Sequence, residues 1–190
     1  MTHPINDEKI FRSENFSKKS LENQIFNSCS FINCDFSESI LRNAEFSSCV
    51  FTNCNLSLLK LDACRLQDVQ FVDCKIVGAD FFKCDRIFFI ASFKRCILSY
   101  CNFSDLNMKN AHFEGSRILE AHFTNTVLTG ADFRDTDLSG TLFHNCDLSK
   151  ADFSTAARYN IDLKTNKVKK AKFSLPEAVG LLRGFDIIIS

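Results

Sequence analysis

The residues in this 190-residue chain best able to do chemistry are its ten cysteines: Cys29, Cys34, Cys49, Cys54, Cys64, Cys74, Cys84, Cys96, Cys101 and Cys146. Thiolates bind soft metals and attack electrophiles, but a structural zinc site draws on close pairs such as C-x-x-C. Here the separations are multiples of five, with one step of twelve between Cys84 and Cys96. The histidines His3, His112, His122 and His144 are scattered and complete no Ser–His–Asp or Cys–His set. Only six glycines occur, and none forms a glycine-rich phosphate loop. Aspartates in "ADFRDTDL" and "CDLSKADF" have the residue type for acid–base work, yet their outward positions read as solvated surface. The expectation is a protein that is not an enzyme and holds no cofactor and no metal.

The elements that position these residues follow from one period. Large apolar residues recur every five positions, from Phe11, Phe16, Leu21 and Phe26 to Ile76 and Phe81. The beat resumes at Phe88, Phe93, Leu98 and Phe103 and continues to Phe153. Two residues before each sits a small one, such as Cys34, Ala44, Ala121 or Thr141, and every cysteine takes this place. Residues at i and i+2 of an extended segment point to the same side. The remaining pair, as in "SE", "SG" or "SK", suits a corner. A helix is excluded, because a five-residue period drifts around a 3.6-residue turn without making a stripe. Four units make one coil, since Phe11, Phe31, Phe51 and Phe71, then Phe93, Phe113, Phe133, Phe153 and Phe173, are twenty apart. The fold class is therefore all-β: a solenoid of about eight stacked coils, roughly 40 Å long at 4.7–4.9 Å per coil. The interior is expected to be filled, with the thiols buried and unreactive.

One step in the ladder, Phe71 to Phe93, is 22 residues. The excess falls in "DFFKCDRIFFIASF", where a bulge is expected over 82–87. A β-bulge that the ladder tolerates is one reading. The other is a contact surface of Phe82, Lys83, Asp85, Arg86, Ile87 and Phe89, with the two aromatic rings exposed beside Arg86.

The ends depart from the pattern. Lys9, Glu14, Lys19 and Gln24 stand at small positions, so the first coil is expected to fray or to act as a cap. Residues 1–10 form a tail or cap, 11–173 the repeats, and 174–190 a C-terminal module. In that module Ser174 and Glu177 have capping-box spacing, Pro176 suits a first turn and Gly184 a stop, which predicts a short α-helix followed by a strand. An end cap within the chain is one use for it. The favoured one is a two-fold contact through Leu175, Val179, Leu182, Phe185, Ile187, Ile188 and Ile189.

Net charge is zero, which supplies no global pull toward nucleic acid or membrane. "MTHPINDEKIF" does not read as a secretory signal, so a cytoplasmic protein with reduced thiols is expected. The runs "IFFIA" and "DIII" are too short to span a bilayer.

Taken together, "GADFRDTDLSGTLFHNCDLSKADF" and residues 11 to about 173 resemble the pentapeptide-repeat family, whose motif is small–Asp/Asn–Leu/Phe–polar–x. The resemblance implies a right-handed quadrilateral β-helix. "DEKIFRSENFSKKSLENQIFNSCSFINCDF" and "LPEAVGLLRGFDIII" are similar to segments of Qnr-type quinolone-resistance and McbG-type microcin immunity proteins. That branch implies a homodimer that binds DNA gyrase or topoisomerase IV as a DNA mimic and protects it from quinolones or peptide toxins. A scaffold for an unrelated partner is the alternative. Residues 111–155 carry seven acidic and three basic side chains, and Asp132, Asp137 and Asp152 are the candidate mimicking acids. Residues 156–190 carry seven basic and three acidic ones, which opposes mimicry at that end. Direct nucleic-acid binding is not expected.

Overall fold

A computed structural model describes residues 5–185 and 187. The chain winds into a parallel β-solenoid of about eight coils with almost no helix. Each five-residue unit contributes a short extended piece. Ile25–Asn27 pairs in parallel with Glu45–Ser47, and Ser30–Ile32 pairs with Val50–Thr52. The register places Phe31 on Phe51, Phe51 on Phe71, and Phe71 on Phe93. Rings in this column stack 4.6 Å apart between Phe31 and Phe51 and 5.1 Å apart between Phe71 and Phe93. A second column, Phe81, Phe103, Phe123 and Phe143, stacks at 4.8 to 5.1 Å. It meets the first edge-on, as between Phe103 and Phe113 at 83°. Stacking within a column and edge contacts between columns are the two ring geometries that aromatic quadrupoles favour.

The polar member of each unit makes the corner. The Asp or Asn before each central residue accepts the N–H two residues on: Ser37 donates to Asp35 Oδ1 at 2.9 Å, and Ser104 to Asn102 Oδ1 at 3.0 Å. This Asx turn delivers the chain to a residue with positive φ, Lys18 after Asn15, Glu38 after Asp35 and Asp105 after Asn102. At Gly140, with φ 69°, a Cβ would come within 2.3 Å of a Glu120 carboxylate oxygen, so glycine fits both conformation and space there.

The small inward position has a bonding role as well. Cys49 Sγ donates to the Phe26 carbonyl at 3.3 Å, Thr126 Oγ1 to that of Phe103 at 3.1 Å, and Cys146 Sγ to that of Phe123 at 3.0 Å. Thiol and hydroxyl are interchangeable here as small donors to the coil before. All ten cysteines are free and buried. Burial pushes the Cys49 and Cys101 thiols up to about 12, so neither is a nucleophile at neutral pH.

Both ends depart from the repeats between them. Of the two expectations for the first coil, fraying or capping, fraying does not occur: Ile5–Asp7 lies on Ile25–Asn27 and Ile10–Arg12 on Ser30–Ile32. At the other end Arg158, at a central position in the repeat, turns outward and Tyr159 fills the core instead, against Phe153 and Phe173. The C-terminal segment Glu177–Phe185 is a 3₁₀ helix, where an α-helix was expected. The Ser174 hydroxyl donates to the Ser154 carbonyl one coil back, which ties the start of the module to the solenoid.

Candidate interaction surface

The two-residue excess is the sum of two changes. Phe81 and Phe89 are both buried core residues, eight apart where five is the rule. Phe89 and Phe93 are four apart, and Phe89 pairs with Leu66 while Phe93 pairs with Phe71. Three residues are thus inserted at one corner and one is lost at the next. The loss is visible as a register shift between Leu66 and Val69 in the strand Arg65–Val72. It straightens the neighbouring corner into the continuous strand Phe89–Lys94.

This corrects the sequence reading at two positions. Phe89, expected on the surface, is 4% exposed and makes edge contact with Phe81 at 5.9 Å. Phe88, expected in the core, is the exposed member of the pair. The tip of the loop is Ile87, 83% exposed, followed across the strand start by Ile90 at 60%.

The loop is held by side chains that reach it from neighbouring coils. Arg65 pairs with Glu45 at 2.7 Å and with Asp85 at 3.3 Å, and its guanidinium lies 5.0 Å from the Phe88 ring centre. Asp85 also accepts the Ile87 N–H at 3.0 Å. Arg86 reaches Asp105 on the following coil at 3.3 Å. Lys83 pairs with Asp80 at 2.9 Å and leans over the half-buried Phe82 ring. Arg65 gave no signal in the repeat, because it occupies an ordinary outward position.

Beside the loop, on the corner it straightens, lies an open groove of about 850 Å³. Its floor includes Val69, Ala91 and Met108, its wall Ile87 and Ile90, and its rim Arg86, Lys94 and Lys109. An apolar floor with a charged rim is the usual composition of a recognition surface.

The acidic candidates are compensated. Asp132 pairs with Arg134 at 2.6 Å, Asp152 with Lys172 at 2.9 Å, and Asp137 with Arg158. Each also accepts a corner N–H, from Arg134, Ser154 and Ser139 respectively. The Arg158 hydrogen bond brings the Asp137 carboxyl down to about 2. Burial works to raise Asp152, but bonds from Ser154 and Lys172 outweigh it and hold it at about 2. These aspartates are structural corner residues with their own counter-ions, so they contribute little net field.

At the C-terminus the 3₁₀ period of three lines up Val179, Leu182 and Phe185 on one ridge, all exposed. Leu175, 78% exposed, and Ile187 extend it. Leu181 faces the other way, against the core. Ile188 and Ile189 lie outside the described residues. Among the described residues no group of three or more His, Cys, Asp or Glu side chains could hold a metal ion, and no helix is long and apolar enough to cross a membrane.

A parallel β-solenoid with a filled interior, one braced loop over a groove and an apolar terminal ridge has the build of a surface-recognition protein. The family model for the pentapeptide repeat region matches residues 24–87 and 86–173, and the chain belongs to that family. No curated protein matches. Among solved structures, trypsin-treated QnrB1, a plasmid-mediated fluoroquinolone resistance protein, superposes with a TM-score of 0.67 at 19% identity, covering 99% of this chain and 98% of its own. HetL from Nostoc sp. strain PCC 7120, involved in heterocyst differentiation regulation, gives 0.67 at 18% identity, covering 91% of this chain and 87% of its own. At these identities the likeness is one of fold.

Proposed function

We infer that this chain is a non-catalytic binding protein that joins into a homodimer through its C-terminal ridge and engages a type II topoisomerase, DNA gyrase or topoisomerase IV, protecting it from quinolones or peptide toxins. The observation that carries the reading is the braced loop. Ile87 and Ile90 stand out over an apolar-floored groove, on a loop that Arg65 braces through Asp85, where two successive corners break a regular wall. The Val179, Leu182 and Phe185 ridge supports the two-fold contact, since an exposed apolar strip on a chain end is a self-complementary patch. DNA mimicry in this reading rests on the outline of a straight rod more than on charge, because Asp132, Asp137 and Asp152 are paired.

The test is supercoiling by purified gyrase, and relaxation by topoisomerase IV, with a fluoroquinolone or a peptide poison present. Rescue or direct inhibition at micromolar protein supports the reading; neither effect across that range removes it. A second reading, an interaction scaffold for an unrelated partner, is favoured by the same charge compensation. HetL, whose described role is in differentiation, has the same fold. Pull-down of a reproducible partner that is not a topoisomerase subunit selects this second reading.

A further inference from the structure

Charge on the walls of this solenoid is arranged by stacking. Lys18 meets Glu38, Arg42 meets Glu22, Lys94 meets Glu114 and Arg95 meets Asp73, each pair on adjacent coils. The arrangement reverses near the C-terminal end. Lys150 and Lys170 both occupy the left-handed corner position, with φ 62° and 60°, on adjacent coils. Lys150 N–H donates to the Lys169 carbonyl at 2.9 Å, which fixes the two corners one above the other. Lys167 and Lys169 flank Val168 on the outer face of the same wall, and all four lysines are exposed. Neighbouring coils lie about 4.8 Å apart, so like charges face each other at a distance that disfavours the fold. The acid beside them is Asp147, one coil back and opposite Lys167; Asp152, on the next wall, is taken by Lys172. Among the described residues no ion pair engages Lys150, Lys169 or Lys170.

We propose that this lysine wall binds the phosphate backbone of duplex nucleic acid, independently of sequence. The chemistry selects phosphate over an acidic protein. Lysine is depleted at protein interfaces and serves as a point charge for phosphate, and no aromatic or arginine anchor accompanies these four. Their neighbours on the wall are Asp147, Ser149 and Thr129, with Val127 as a single exposed apolar residue, too little apolar surface to seat on a lipid. A flat wall with cations spaced about 4.8 Å across coils and about 6.7 Å along a strand matches an extended polyanion better than a compact one. The zero net charge of the chain hides this, because the excess is local.

The experiment is fluorescence anisotropy of a labelled 20-base-pair duplex with the full chain, with no topoisomerase present, so that its outcome is separate from the function proposed above. With about three phosphates neutralised, affinity falls about twentyfold between 50 and 150 mM salt. The triple variant Lys150→Asn, Lys169→Gln, Lys170→Asn keeps residues suited to the left-handed corners and loses at least tenfold in affinity. Lys60→Gln with Lys75→Gln, on other walls, leaves binding unchanged, and a Lys→Arg triple variant retains it. Circular dichroism and the melting temperature confirm the fold of each. Equal binding by the parent and the triple variant, loss in the Lys60/Lys75 variant to the same extent, or capture of polyglutamate or anionic vesicles in preference to duplex overturns the proposal.

Discussion

Replacing Phe123 by alanine tests the filled-column core most directly. Its ring is fully buried, stacked 4.9 Å from Phe103 and 5.1 Å from Phe143, and edge-on to Phe113 at 5.9 Å and Phe133 at 6.3 Å. Regular coils on both sides hold the backbone spacing, so the site has little room to collapse. The loss is then at the full value for a buried aromatic, roughly 3–5 kcal/mol. For a domain of this size that corresponds to a fall in Tm of roughly 6–20 °C. Phe11→Ala is the comparison. Phe11 is only partly buried, in the first coil, and stacks on one side, against Phe31 at 4.9 Å. In a solenoid a terminal coil has one neighbour where a central coil has two, so its loss is less than half as large. Thermal and urea unfolding followed by circular dichroism measure both. A loss below about 1 kcal/mol at Phe123, or equal losses at the two sites, refutes a column in which every ring is clamped by the coils around it.

Four further outcomes are expected. Tyr159→Phe removes a buried hydroxyl that has no hydrogen-bond partner among the described residues, so Tm rises by a few degrees; a drop of similar size shows that the hydroxyl is satisfied. Under native conditions the ten buried thiols label slowly and become reactive together on unfolding; fast labelling of several contradicts their placement. The Asp137 carboxyl is depressed to about 2 in the folded chain against about 3.9 unfolded. Its stabilisation is therefore present above pH 4 and lost as pH falls from 4 toward 2. Asp137→Asn flattens that acid limb of Tm against pH, and an unchanged limb removes the Asp137 carboxyl as its source. Ile87→Asp with Ile90→Asp leaves Tm within about 2 °C, because both residues are exposed, but weakens protection of gyrase at least tenfold. Full protection by that variant shifts the contact away from the loop.

The walls were legible from the chain because translational symmetry multiplies a weak local signal. Phe51 alone is an apolar residue; Phe31, Phe51 and Phe71 at twenty-residue steps are a column. The loop was legible as a count but not as a shape. A net excess of two residues is compatible with several distributions, and the doublet Phe88–Phe89 offers two equally apolar candidates for one core place. Packing decided between them: Phe89 completes the stack over Leu66, and Arg65 supplies a cation for the Phe88 ring outside. Asp132 and Asp152 were legible as acids but not as neutralised: Lys172 stacks on Asp152 at the same twenty-residue step, while Arg134 meets Asp132 only once the corner geometry is known. At the C-terminus Ser174 and Glu177 had the spacing of a capping box, but the segment that follows winds as a 3₁₀ helix, and the Ser174 hydroxyl donates to the Ser154 carbonyl one coil away, a contact the local spacing does not encode.

Regularity also limits where recognition can reside. A wall of repeated coils presents the same backbone every 4.7–4.9 Å, so a partner that read the repeat alone could bind in several registers with equal energy. A unique docking position requires a feature that occurs once. The loop at Ile87, with its inserted and deleted corners, is such a feature, and the apolar ridge at Val179, Leu182 and Phe185 is another. The lysine wall differs in kind: two adjacent coils repeat one charge, which suits a polyanion that is itself periodic and needs no fixed register. A sequence-independent contact at one end and a register-fixing loop in the middle could therefore act on different partners without competing for surface.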